Sequence, residues 1–179
     1  MINIYGKGGH ARMIASVLNE SFTFYDDDDY KMANPNHLWI IAIGDNLNRE
    51  KVAKRLNGFK FVTVYDSSAY IGKQHTIGSG VFISPGVVIQ NDVTIGDHSI
   101  INTSASVDHD CEIGSYVHIG PNSTLCGAVV IGDGTFIGAG STIIPGIKIG
   151  KNCIIGAGSV VVRDIPDGSK AYGNPCKIK

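Results

Sequence analysis

From residue 71 to residue 161, every sixth residue of the chain is aliphatic, and no insertion interrupts the series. The sixteen positions are Ile71, Ile77, Ile83, Ile89, Ile95, Ile101, Val107, Ile113, Ile119, Leu125, Ile131, Ile137, Ile143, Ile149, Ile155 and Val161. A period of six fits neither the α-helix nor the two-residue alternation of a long strand, so it predicts short strands joined by tight corners. Stacked coils of such strands would bury one continuous aliphatic column.

Residues 1–66 show a different pattern, in which short apolar runs alternate with amphipathic stretches. The predicted elements are a strand at 2–5, a glycine-rich turn at 6–11, a helix at 12–19, strands at 22–25 and 39–43, a helix at 46–57 and a strand at 59–64. Alternating strands and helices predict a small parallel sheet. We therefore expect two domains, residues 1–66 and 67–179, the second ending in an irregular tail.

The turn Gly6-Lys7-Gly8-Gly9-His10-Ala11 lies between a predicted strand and a predicted helix. In that position a glycine-rich loop can bring backbone amides to a phosphate group. Asp26 ends the next predicted strand, where a carboxylate can bind ribose or a base. The alternative is that the glycines only form a turn and that residues 26–29 are a solvated acidic loop. The domain has room for one mononucleotide, so a nucleotide-sugar fits better than NAD, with Gly44 as a wall of the site.

Among the six histidines, His109 is the strongest candidate for chemistry. It lies two residues after an inward aliphatic position, at an expected corner, between Asp108 and Asp110. A neighbouring carboxylate raises the basicity of an imidazole, which suits a general base near neutral pH. One coil later the equivalent residue is Gly127, which leaves a slot beside the histidine. His118 precedes an inward position, and packing alone is an equally good explanation for it.

Composition and charge exclude several other classes. Fifteen basic and sixteen acidic residues give a net charge of −1, which argues against binding to nucleic acid or an anionic membrane. The four cysteines form no C-x-x-C pair, and the spacing of His98, His109 and His118 is not that of a zinc site, so no metal is expected. The first 20 residues lack a signal-peptide pattern and no long apolar stretch occurs, so we expect a cytoplasmic protein. Glycine makes up 23 of 179 residues, nearly twice the background of about 7%, and an excess of this size is expected of a repeat with tight corners.

The six-residue repeat resembles the hexapeptide-repeat family, which folds as a left-handed parallel β-helix with three hexapeptides per coil. Five segments carry a closer resemblance: residues 5–10, 24–27, 41–46, 101–111 and 173–175. They are similar to bacterial nucleotide-sugar acetyltransferases, in particular the UDP-4-amino-sugar N-acetyltransferases of bacillosamine biosynthesis, with the sialic acid O-acetyltransferase group nearby. The resemblance covers nearly the whole chain.

This resemblance implies roles for individual residues. His109 matches the catalytic base and Asp110 the acid that raises its basicity, although the bacillosamine enzymes tend to have Glu there. The positions that match nucleotide-sugar contacts are Gly8, Gly9, His10, Asp26, Asp27 and Gly44. The positions assigned to acetyl-CoA are His118, Ala139 and Ala157, together with the Gly127 slot. The family also implies a homotrimer with active sites between subunits.

The sequence thus predicts an acetyl-CoA-dependent N-acetyltransferase that acts on the 4-amino group of a UDP-linked 4-amino-4,6-dideoxy sugar, in bacterial surface glycan or glycoprotein sugar biosynthesis. Three alternatives stay open from the residues alone. The acceptor could be a sugar hydroxyl, as in sialic acid O-acetylation. The nucleotide could be dTDP or GDP. The chain could also be a non-enzymatic nucleotide-sugar-binding protein on the same fold.

Overall fold

The computed structural model describes residues 1–34 and 36–179, which form a small α/β domain followed by a parallel β-helix. The elements of the first domain are β1 (Ile2–Tyr5), α1 (Gly9–Val17), β2 (Phe22–Tyr25), a 3-10 turn (Tyr30–Met32), β3 (Leu38–Ile41), α2 (Asn46–Arg55) and β4 (Lys60–Phe61). The four strands make one parallel sheet in the order β2-β1-β3-β4. The chain leaves β1 toward β2 on one side and returns to β3 on the other, which opens a crevice at their carboxyl ends.

The β-helix has three sheets, which we call faces 1, 2 and 3. Face 1 contains strands Val64–Tyr65, Phe82–Ile83, Ile100–Ile101, His118–Ile119, Phe136–Ile137, Ile154–Ile155, Lys170–Tyr172 and Lys177–Ile178. Face 2 contains Tyr70–Ile71, Val88–Ile89, Ser106–Val107, Thr124–Leu125, Thr142–Ile143 and Val160–Val161. Face 3 contains His75–Ile77, Val93–Ile95, Glu112–Ile113, Val130–Ile131 and Lys148–Ile149. Residues 18 apart pair in parallel, as Ile101 does with Ile119.

The predicted aliphatic column is the core of this prism. Fourteen of its members, from Ile83 onward, are buried, whereas Ile71 and Ile77 are partly buried because they belong to the first coil. Small polar residues inside the prism bond from coil to coil. The Ser123 hydroxyl, for example, donates to the Gly138 carbonyl at 2.9 Å. These hydroxyls satisfy backbone carbonyl groups inside the prism.

The observed elements differ from the predicted ones mainly at the domain boundary. The prediction of a single strand at 59–64 is wrong, because the structure has two short strands there. Lys60–Phe61 pairs with β3, whereas Val64–Tyr65 pairs with Phe82–Ile83 of the β-helix. The chain therefore crosses between two sheets within a few residues, and the β-helix begins slightly before the expected boundary at 66/67. Helix α1 begins at Gly9 rather than at the expected Arg12, so the end of the glycine-rich turn forms its first turn.

The first domain packs on the outer surface of face 1. Phe82 and Ile100 point outward from that face and are both 1% exposed, because Ile4, Ile14 and their neighbours cover them. The apolar contact fixes the crevice above the middle coils. No helix within the described residues is long and apolar enough to cross a membrane.

Candidate active site

His109 lies at the corner between faces 2 and 3, where it is paired with Asp110. Its Nδ1–H donates to Asp110 Oδ2 at 2.8 Å, and its backbone N–H donates to Asp108 Oδ1 at 2.8 Å. Both side chains of the pair are about 60% exposed. The hydrogen bond to Asp110, and then the charge of Asp108, raise the pKa of His109 above its ordinary value. With Nδ1 engaged, Nε2 is the nitrogen available to accept a proton.

The corner geometry explains why Asp reaches the ring where the resemblance would have Glu. Asp110 has φ 61°, in the left-handed region, and in this backbone conformation its short side chain reaches Nδ1 of His109 at 2.8 Å. Gly127 lies one coil further on, and a Cβ built there would come within 2.7 Å of His109 Cε1 and 2.8 Å of Nε2. A side chain at this position would displace the imidazole, so the glycine preserves the slot.

The second group of candidates surrounds the crevice at the carboxyl ends of β1 and β3. Gly6 has φ +128°, and a Cβ there would lie 2.8 Å from the Ala42 carbonyl, so only glycine allows these loops to approach. Gly8 and Gly44 are different, because nothing lies within 4 Å of a Cβ built on either. The first turn of α1 has no side-chain cap at Gly8, which leaves its N–H groups available to an anion.

The acidic stretch after β2 is tied to its surroundings rather than free in solvent. Lys7 Nζ lies 2.6 Å from Asp26 Oδ2 and 2.9 Å from Asp29 Oδ2. Asp27 accepts hydrogen bonds from the Tyr5 hydroxyl and from Arg55. Lys7 holds the pKa of Asp29 below its usual range. Asp26 and Asp27 therefore lie at the rim of the crevice, already paired with protein groups.

Two half-buried histidines lie where the crevice meets face 1. His118 Nδ1–H donates to the Gly44 carbonyl at 3.1 Å, and Nε2 accepts from the Asn102 amide at 3.0 Å. Burial lowers the pKa of His118 to about 4, so the ring is neutral at neutral pH. His10 packs edge-on against Phe82, and burial followed by the nearby His118 lowers its pKa to about 4. His118 therefore does not only pack against its neighbours, because its hydrogen bond to Gly44 links the β-helix to the first domain.

Ala139 and Ala157 are exposed at the corner between faces 1 and 2, one coil apart. The Gly158 amide donates to the Ala139 carbonyl at 2.8 Å, which stacks the two corner turns. The structure therefore brings Gly8, Gly9, His10, Gly44 and His118 together. It places His109, Asp110 and Gly127 at a separate corner, the one opposite face 1.

Sequence reasoning missed a cavity of about 520 Å³ beside the start of α2 and two polar residues next to it. Asp45, Leu47, Phe136 and Ile154 line this cavity. Arg49 and Asn46 are 1% and 9% exposed and bind the β-helix backbone. The one available signal was Phe136, an aromatic residue at an outward position.

Among residues 1–34 and 36–179, no group of three or more His, Cys, Asp or Glu side chains could hold a metal ion.

Comparisons with known proteins agree with this architecture. A family model described as bacterial transferase hexapeptide (six repeats) matches residues 74–107 and 128–163. Perosamine N-acetyltransferase from Caulobacter crescentus, a histidine variant solved with CoA and GDP-perosamine, is 37% identical, with a TM-score of 0.94 over 99% of this chain and 96% of its own. The acetyltransferase domain of PglB from Neisseria gonorrhoeae is 29% identical, with a TM-score of 0.94 over 99% and 98% of the two chains. WeeI from Acinetobacter baumannii is 28% identical, with a TM-score of 0.93 over 100% and 99%.

A search of the curated proteins finds no match. The similarity to the Caulobacter enzyme spans both domains at an identity above 30%. The chain therefore belongs to the hexapeptide-repeat transferase family. The predicted left-handed β-helix with an N-terminal α/β domain is confirmed, and so is the predicted enzyme class, an acetyltransferase. The closer resemblance to UDP-4-amino-sugar enzymes stays a prediction.

Proposed function

We propose that the chain transfers an acetyl group from acetyl-CoA to the 4-amino group of a nucleotide-linked 4-amino-4,6-dideoxy sugar. The observation that carries this proposal is the His109–Asp110 pair beside the Gly127 slot. The crevice supports a nucleotide-sugar because its glycines leave open space at a helix N-terminus. The PglB domain is described in complex with acetyl coenzyme A and the Caulobacter enzyme with CoA, which supports acetyl-CoA as the co-substrate.

The chemistry follows from the free nitrogen of His109. The neutral sugar amine attacks the thioester carbonyl, so a C–N bond forms while His109 Nε2 accepts the amine proton. The tetrahedral intermediate then collapses, the C–S bond breaks, and CoA leaves as a thiol after taking up that proton. Asp110 keeps Nδ1 protonated and stabilises the imidazolium between the two steps. No covalent enzyme intermediate is required.

The proposed site is shared between neighbouring chains of a homotrimer. Within one chain the crevice lies on face 1, whereas His109 lies at the corner opposite that face. A sugar held in the crevice therefore meets the base of another copy. Closed rotational symmetry is the usual way for such a heterologous contact to repeat. Ala139 and Ala157, at the edge between faces 1 and 2, would then border acetyl-CoA in the groove between prisms.

The nucleotide is GDP or UDP in our proposal. The sequence resemblance favours UDP. The Caulobacter structures with GDP-perosamine favour GDP, because their identity of 37–39% exceeds the 29% of the PglB domain. The acetylated sugar would serve bacterial surface glycan or glycoprotein synthesis.

The test is CoA thiol release by the purified protein with GDP-, UDP- and dTDP-linked 4-amino sugars and with a matched 4-hydroxyl sugar. We expect release with one amine and none with the hydroxyl. His109→Ala should lower release by about 10²- to 10⁴-fold, because a general base contributes that much. CoA binding, measured by calorimetry, should be unchanged, and exposed His75→Ala is the matched control.

Release with only the hydroxyl sugar would make the chain an O-acetyltransferase. Binding of a nucleotide-sugar without release by the wild type would indicate a non-enzymatic role. Full activity of His109→Ala would remove His109 from the mechanism.

A further inference from the structure

Arg49 of α2 is 1% exposed and all of its N–H groups are engaged, yet none of its acceptors in the described structure is a carboxylate. The acceptors are the carbonyls of His98 (2.7 Å), Ile43 (2.8 Å), Gly44 (3.1 Å), Tyr116 (3.0 Å) and Val117 (3.3 Å), and Asn46 Oδ1 (2.7 Å). Burial lowers the pKa of Arg49 only to about 10, so the guanidinium is charged at neutral pH.

A buried guanidinium that no carboxylate contacts in the described structure is an unfavourable way to hold two domains together, because its desolvation is costly and the nearby charge of Asp45 offsets only part of that cost. An apolar side chain of similar size could pack against face 1 as the neighbouring residues do. The planar guanidinium, however, can hold several carbonyl oxygens in fixed directions at once. This points to a requirement for the position of those carbonyls rather than for stability alone.

The carbonyls that Arg49 holds come from the wall of the crevice and from two successive coils. Ile43 and Gly44 form the loop after β3, while His98 and Tyr116 occupy equivalent corner positions 18 residues apart. Asn46 adds to the connection, since its amide donates to the Gly134 carbonyl at 3.0 Å and the Thr135 carbonyl at 3.1 Å. The loop is thus fixed to the β-helix through side chains of α2.

The Gly44 carbonyl is also the acceptor for His118 Nδ1–H, at 3.1 Å. One oxygen therefore receives hydrogen bonds from Arg49 and from the histidine at the base of the crevice. Because Asn102 donates to the other nitrogen of His118, the ring is held as its Nδ1–H tautomer. If Gly44 shifted, the wall of the crevice would move and His118 would lose the hydrogen bond that fixes the orientation of its ring.

We infer that Arg49 is a positioning residue, which fixes the Gly44 loop and, through the Gly44 carbonyl, the orientation and tautomer of His118. This inference rests on the proposed function, in which the Gly44 loop borders the nucleotide-sugar. Arg49 does not touch a substrate. By fixing the Gly44 loop, it keeps the bound nucleotide-sugar, and with it the amine, in line with the thioester.

The decisive variant is Arg49→Lys, which keeps the charge but cannot reach acceptors on both sides. Arg49→Met removes the charge as well. The control is Lys54→Met on the same helix, because Lys54 is exposed and its one ion pair within the described residues is with Glu50 at 2.7 Å. For Arg49→Lys we expect kcat/KM for the nucleotide-sugar to fall by about 10- to 100-fold, since small misplacements of reacting groups cost that much. Lys54→Met should keep the wild-type kcat/KM, Kd of CoA and melting temperature. Arg49→Lys should fold but melt at a lower temperature than the wild type, because it leaves buried carbonyls unpaired.

A second readout does not depend on activity. In protein labelled with ¹⁵N-histidine, His118 should give the ring shifts of the Nδ1–H tautomer in the wild type and in Lys54→Met. It should give a mixture of tautomers in Arg49→Lys. Wild-type kinetics together with an unchanged His118 signal in Arg49→Lys would overturn the inference. Failure of both Arg49 variants to fold would also overturn it, by making Arg49 a stability residue.

The two proposals can fail separately. If the wild type releases no CoA thiol with any amino sugar, the proposed function fails. The His118 tautomer and the affinity of the crevice for nucleotide-sugar, by calorimetry, then still decide the role of Arg49.

Discussion

At the scale of single residues, Asp110 combines a structural role at a corner with the chemical role that we propose for it. The third residue of every corner turn from Gly80 to Gly158 has a positive φ, and Asp92, Asn122 and Asn152 occupy other such positions. Asp and Asn tolerate this conformation better than longer side chains. An aspartate there can therefore form the corner and also accept the hydrogen bond of His109. The sequence spacing already indicated the pair, but only the backbone conformation shows why Asp suffices.

Asp110→Asn tests this division, because Asn suits the same backbone conformation and can still accept the bond from Nδ1–H. The proposed mechanism needs neutral His109, so kcat/KM should rise with pH through the pKa of His109. That pKa is raised mainly by Asp110. In Asp110→Asn the midpoint should therefore move down in pH, while the plateau falls by about 10-fold or more because the base is weaker.

The pH dependence of thiol release from pH 5 to 9 is the measurement. Asp108→Asn is the matched control, and it should move the midpoint less, since Asp108 is the smaller cause. An unchanged midpoint in Asp110→Asn would mean that another group limits the rate.

At the scale of elements, the β-helix could be predicted nearly completely, because its inward positions recur along the chain. The contact between domains could not, because it uses the outward positions of face 1, which the six-residue period leaves unconstrained. Phe82 and Ile100 are buried only by the first domain. Arg49 stands in a polar helical stretch, and five of its acceptors are backbone carbonyls that no sequence pattern marks.

The same contact predicts acid sensitivity. His118 has its pKa lowered to about 4 by burial, whereas the unfolded chain has the ordinary value of about 6.5. Between these values the unfolded state binds the proton and the native state does not. The stabilisation is thus fully present above pH 6.5 and is lost as pH falls toward 4, by about 3 kcal/mol for His118. His10 adds to the same trend.

The measurement is urea unfolding at fixed protein concentration between pH 7.5 and 4.5. His118→Asn should be less stable at pH 7.5 but should lose less stability on acidification than the wild type. His75→Asn, at an exposed position, should keep the full pH dependence. Equal slopes for His118→Asn and the wild type would show that other groups dominate the acid response.

At the scale of the whole molecule, the prism separates the base from the crevice. Face 2 borders the His109 corner, and its outward residues in the middle coils are small or β-branched: Ser106, Thr124, Thr142 and Val160. Such a surface is flat enough for a second prism to approach closely. In the proposed trimer, a copy packed there would bring its own face 1 toward this chain's His109, which a single chain cannot do.

Mixed oligomers test the shared site directly. Gly8→Leu should fold, because Gly8 has φ −84° and no atom lies within 4 Å of a Cβ there, but its side chain would fill the crevice. His109→Ala keeps the crevice and removes the base. Each variant alone should be inactive. When the two are co-expressed, sites that combine the crevice of a His109→Ala chain with the base of a Gly8→Leu chain are intact.

Random mixing in a closed ring makes about one quarter of the sites intact, so about one quarter of wild-type thiol release should return. Mixing the two purified homo-oligomers without exchange of subunits is the control and should restore nothing. If co-expression also restores nothing while two differently tagged chains co-purify in one trimer, crevice and base act within one chain. The sugar would then have to reach around the prism from face 1 to the opposite corner. A monomer by light scattering would exclude the shared site.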